Sequence, residues 1–179
     1  MSQGETPDRT TALTLFTVIG RPRATVWLRL IFWLATKLPL PRWTLLRLKL
    51  IHYARWSILS REGLRRPYLF FESNFNGSPD AYVEAFSYAF PLGMRAIWGS
   101  SQCFPGPTPV ETLRKWIRRG QHHEQHYYCA YPDASTREVL AGLEVRRRVG
   151  ELVSRTQGAD PAEFAKEYGA LVSGLQWDI

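Results

Sequence analysis

Three observations predict an α+β fold for this chain. Short segments rich in β-branched and aromatic residues come between helices with explicit start signals, in the order strand, helix, strand, strand, helix, strand. That order is the ferredoxin-like βαββαβ plan, with the middle strands joined as a hairpin and extra helices behind. A length of 179 residues, 45% of them hydrophobic, suits one domain with its own core.

The elements follow in order. Residues 1–11 are polar and read as a disordered tail, leaving 12–179 as a single domain. "ALTLFTVIG" (12–20) reads as the first strand, ending at Gly20. Residues 24–37 read as a helix stopped by Pro39 and Pro41. "LLRLKLIHYARWSIL" (45–59) is the second strand, "SREGLRR" a turn, and "PYLFFESNF" (67–75) the third strand, with Asn76-Gly77 as the next turn. Ser78-Pro79 starts a helix with an N-cap and a proline in its first position. Thr108 to Glu111 and Ser135 to Glu138 have the capping-box pattern, and Asp160 caps the last helix. Helices are expected over 109–119, 136–155 and 161–175, so about 136–179 is a helical extension. "HHEQHYYCAYP" (122–132) reads as the fourth strand.

The chain carries 23 Lys and Arg against 16 Asp and Glu, a net charge of +7, which favours anionic partners. The two cysteines form no disulfide framework, and Cys129 reads as a small core residue. With an N-terminus unlike a secretory signal, this predicts a cytoplasmic protein. The uncharged run inside 24–37 is far too short to span a bilayer. Its mixture of Trp27, Phe32 and Trp33 with Arg23, Arg29 and Lys37 suits peripheral contact with a membrane surface.

Three of the four histidines stand at 122, 123 and 126. On a strand, His122, Glu124, His126 and Tyr128 share one face, and His126 with Glu124 is a candidate metal pair. The H-E-x-x-H pattern is absent, since Tyr127 stands where the second histidine belongs. In the third strand Glu72 and Asn74 share one parity, while Leu69, Phe71 and Phe75 form the core parity. One sheet face is therefore expected to carry Glu72, Asn74, Glu124, His126 and Tyr128, with either His52 or Arg55 from the second strand. So many polar groups need partners or a ligand. His126, His52 and Arg55 are the candidate catalytic or iron-binding groups, and Tyr128, Asn74, Glu72 and Trp56 the candidate substrate contacts.

The phrases "FFESNFNGS", "GMRAIWGSSQCFPGP" and "HYYCAYPDAS" resemble an uncharacterised bacterial family, over about residues 45–145. In strand order the chain is similar to the dimeric α+β barrel superfamily. That resemblance implies a homodimer in which two sheets pack face to face around a small-molecule pocket. Relatives of that kind include cofactor-free monooxygenases and haem enzymes. The haem enzymes hold their iron through a helical histidine, whereas the helices expected here have none. Haem or iron, or no cofactor at all, are equally compatible with this reading.

Three functions compete. The first is a small-molecule enzyme, oxidative in the manner of an oxygenase or peroxidase, using the polar, aromatic-lined sheet face. The second is a non-catalytic ligand-binding or membrane-peripheral accessory protein. The third is an RNA-binding module, which Glu72 and the missing aromatic RNP pattern in 67–75 disfavour. The phosphate-loop, dinucleotide and nucleophile-elbow motifs are absent.

Overall fold

The computed structural model describes residues 10–21, 23–37, 49–60 and 63–175. The chain divides into two compact units, Met1–Asp133 and Ala134–Ile179. The first holds β1 (Thr10–Val18), α1 (Ala24–Lys37), β2 (Ile51–Leu59), β3 (Tyr68–Asn76), α2 (Pro79–Ala89), α3 (Pro91–Trp98), α4 (Val110–Gly120) and β4 (Gln121–His122). The second holds α5 (Thr136–Arg155) and α6 (Pro161–Leu175). The class is α+β: a four-stranded antiparallel sheet and six helices among the described residues.

The sheet runs β2-β3-β1-β4. β1 and β3 pair along their whole length, from Thr10 opposite Asn76 to Val18 opposite Tyr68. Strand alternation then sorts their side chains onto two faces. Leu13, Leu15, Ile19, Leu69, Phe71 and Phe75 are buried on one of them. Leu28 of α1, Phe86 of α2, Trp98 of α3 and Leu113 of α4 join the same cluster, so the helices of this unit cover that face. Phe75 stacks on Tyr82 at 4.0 Å, and Phe71 meets Trp98 edge-on at 5.2 Å.

Several boundaries move. β1 starts at Thr10, so Thr10 and Thr11 belong to the sheet and not to a tail; the rest of the expected tail lies outside the described residues. β2 starts at Ile51; of the longer strand expected, 45–48 lie outside the described residues, as do Pro39, Pro41 and part of the turn at 60–66. Ser78, Ser135 and Asp160 cap their helices as expected, Ser135 and Glu138 forming the reciprocal box. The box at Thr108 does not form. Pro109 is the N-cap, in extended conformation, so Glu111 sits one position too early to reach back and binds Arg114 at 2.5 Å instead.

The fourth strand is the largest departure. Only Gln121 and His122 pair with β1, opposite Leu15 and Thr14. The chain then leaves the ladder and returns where Thr10 N–H donates to the Pro132 carbonyl at 3.3 Å. The ten residues from His123 to Pro132 therefore run beside only the four from Thr10 to Leu13, and the surplus has no place in a regular register. At the junction, Gly120 lies so close to β1 that an added Cβ would stand 2.8 Å from the Phe16 carbonyl oxygen.

Candidate functional site

The sheet face away from the helices carries Tyr53 and Arg55 of β2 and Glu72 and Asn74 of β3. Arg55 and Glu72 are cross-strand partners, and a guanidinium nitrogen of Arg55 lies 2.5 Å from the Glu72 carboxylate. Tyr53 donates its hydroxyl to the same carboxylate at 3.2 Å. Arg55 also lies over the Phe70 ring at 5.2 Å, and Phe70 packs on Phe16 at 5.0 Å. Asn74, two residues along β3 on the same face, has a buried Oδ1 without a hydrogen-bond partner. Burial, the hydrogen bond to Glu72 and that residue's charge push the Tyr53 phenol upward, against the opposing pull of Arg55.

The segment after β4 contributes to this face differently from a strand. Glu124 accepts a hydrogen bond from Thr14 Oγ1 at 2.9 Å. His122, still within β4, packs edge-on against Phe16 at 4.8 Å. Tyr127 is pushed upward by burial first, then by Cys129, Glu124 and Glu72. Cys129 is half-buried in this loop and lies outside the core cluster expected to hold it.

The structure brings Arg55, Glu72 and Asn74 together on one face. A bulge between Ile51 and Tyr53 leaves His52 exposed, and the residues after it fall into register with Arg55 opposite Glu72. Trp56 points to the helix-covered face, against Phe71, Trp98 and Phe32. His126 and Tyr128 are exposed in the loop. No group of three or more His, Cys, Asp or Glu among the described residues is placed to hold a metal ion. His122 joins this face, as the strand alternation placed it with Glu124; Tyr53 and Tyr127 join it although the sequence reading did not select them. Tyr53 was legible in principle, because it shares the parity of Arg55.

A second surface lies along α1. Leu28 is fully buried and Phe32 packs on the core, so that side of the helix is anchored. The opposite side exposes Val26 (70%), Trp27 (54%), Leu30, Trp33 (57%) and Leu34. Helical spacing places these five within an arc of about 120°. Arg23 and Lys37 stand at the two ends of that stripe and Arg29 at its edge, all exposed. No helix among the described residues is long and apolar enough to cross a membrane.

No protein family, curated protein or solved structure matches the chain.

Proposed function

We propose that this protein docks peripherally on anionic membrane surfaces through α1. The observation that carries the reading is the exposed apolar stripe of α1, framed by Arg23, Arg29 and Lys37. A helix that buries Leu28 inward and turns two tryptophans outward has the two-faced character of an interfacial helix. Tryptophan suits the headgroup boundary, and each Lys or Arg near an anionic leaflet adds about 1 kcal/mol. The net charge of +7 works in the same direction.

Co-sedimentation with phosphatidylcholine vesicles, with and without phosphatidylglycerol, tests this. Binding is expected to be clearly stronger with the anionic lipid and to fall roughly tenfold in Trp33→Ala, in line with the loss of a large interfacial side chain. Binding indifferent to phosphatidylglycerol, or unchanged in Trp33→Ala, would sink the reading.

The unpartnered Asn74 Oδ1 favours a second reading, centred on the open sheet face. There the strand order β2-β3-β1-β4, antiparallel throughout, supports the ferredoxin-like plan. A second copy packed face to face would close the barrel over Arg55, Glu72 and Asn74, and an oxidative small-molecule enzyme would work inside it. His126 and His52 would be its acid–base or iron-binding groups. Variants His126→Ala and His52→Ala that both keep full ligand affinity would count against it.

A further inference from the structure

Beside the foot of α1 lies a cleft of about 660 Å³, a size typical of small-molecule sites, which run to ~300–1,000 Å³. Arg21, Arg23 and Arg95 line it, together with Trp27, Ser100 and Gln102, and among the described residues no carboxylate lines it. None of the three arginines has a carboxylate partner among the described residues. Ser100 Oγ, at the same wall, is buried without a hydrogen-bond partner.

The floor is held in place before any ligand arrives. Gly20 N–H donates to the Ser100 carbonyl and Gln102 N–H to the Val18 carbonyl, both at 2.8 Å. The Ser101 and Thr17 hydroxyls share a buried hydrogen bond of 2.9 Å. This stitches the loop after α3 to the end of β1, so Arg95 is carried by one side of the cleft and Arg21 and Arg23 by the other. The positive end of α1 opens on the cleft, and the carbonyl end of α3 opposes it, so the arginines decide the sign of the field.

We propose that this cleft binds a phosphate monoester. Three arginine side chains, with Gln102 beside them, match a dianion with three terminal oxygens better than a carboxylate, which one arginine can satisfy. The volume leaves room for the organic group that bears the phosphate. Trp27 belongs both to the cleft and to the α1 stripe, so the phosphate is either a lipid headgroup or part of a soluble ester. The lipid arm rests on the membrane reading above; the soluble arm does not.

The test is calorimetric titration of the full chain with glycerol 3-phosphate, and with succinate as a dianion lacking phosphate. Saturable binding of glycerol 3-phosphate well above succinate is expected. Arg95→Gln should weaken it roughly tenfold or more, the worth of a charge-assisted hydrogen bond, and Arg146→Gln should leave it unchanged. Trp33→Ala lies on the stripe but outside the cleft, so it should lose vesicles and keep glycerol 3-phosphate. Vesicles with phosphatidic acid are then compared with phosphatidylglycerol vesicles of matched charge. A phosphatidic acid preference that Arg95→Gln abolishes identifies a lipid source. Soluble binding without that preference identifies a free phosphate ester. Equal affinity for succinate and glycerol 3-phosphate, or no change in Arg21→Gln, Arg23→Gln and Arg95→Gln, overturns the proposal.

Discussion

Tyr82 shows how one residue joins an apolar core to a polar chain. Its ring is stacked on Phe75, and its hydroxyl donates to Ser73 Oγ at 3.0 Å, which in turn donates to the Tyr53 carbonyl at 3.1 Å. Burial pushes its phenol well above the ordinary tyrosine range, so it stays a neutral donor at any working pH. Tyr82→Phe keeps the ring and removes one hydrogen bond, so a loss of about 1 kcal/mol is expected in urea unfolding. Phe75→Ala removes a fully buried ring and should cost about 3–5 kcal/mol in the same assay. The ratio follows from what each change leaves behind: a hydroxyl that still has a partner, or a cavity. The Arg55–Glu72 pair is short but half-exposed, with 54% of the Arg55 side chain open to solvent, so breaking it should cost at most about 1 kcal/mol.

At the scale of the element, α5 carries its own start signal. Ser135 Oγ accepts from Glu138 N–H at 3.1 Å, and Glu138 accepts from Ser135 N–H at 2.7 Å. Ser135→Ala should cost about 1 kcal/mol, read from thermal unfolding followed by circular dichroism. Further along, Glu144 accepts from Arg147 and Arg148, and these bonds lower its carboxyl from 4.5 to about 2. A carboxyl lowered in the folded state stabilises it above the unfolded value and loses that contribution as pH falls. The helix should therefore weaken between pH 4.5 and about 2, and Glu144→Gln should flatten that part of an acid titration of helicity. α1 differs from α5, because its register is set by what it buries. Leu28 and Phe32 turn inward, and that leaves Trp27 and Trp33 outside.

For the molecule as a whole, charge and apolar exposure act over different ranges. At 0.1 M salt the screening length is about 10 Å, and at 1 M it is about 3 Å. Vesicle binding of the full chain should therefore fall with salt without vanishing, since the α1 stripe is insensitive to screening. Arg29→Gln and Lys37→Gln should weaken binding mainly at low salt, whereas Trp33→Ala should weaken it at every salt. A co-sedimentation series in sodium chloride separates the two terms, and identical salt profiles for all three variants would refute this division.

Features that depend on near neighbours follow from the local pattern of residues. Helix 24–37, the caps at Ser78, Ser135 and Asp160, and the buried parity of Leu69, Phe71 and Phe75 were legible, because capping and alternation act within a few residues. The tertiary structure alone decided the rest. His122 to Pro132 has the composition of a strand, but a ladder needs a partner in register, and β1 offers too few residues to accept it. The bulge at His52 chose Arg55 for the open face and sent Trp56 into the core, a choice made by pairing with β3. Arg95 shares a cleft with Arg21 and Arg23 because the loop after α3 is tied to the end of β1. Register, sidedness and clefts arise between segments distant in the chain, and no local pattern encodes a distance between them.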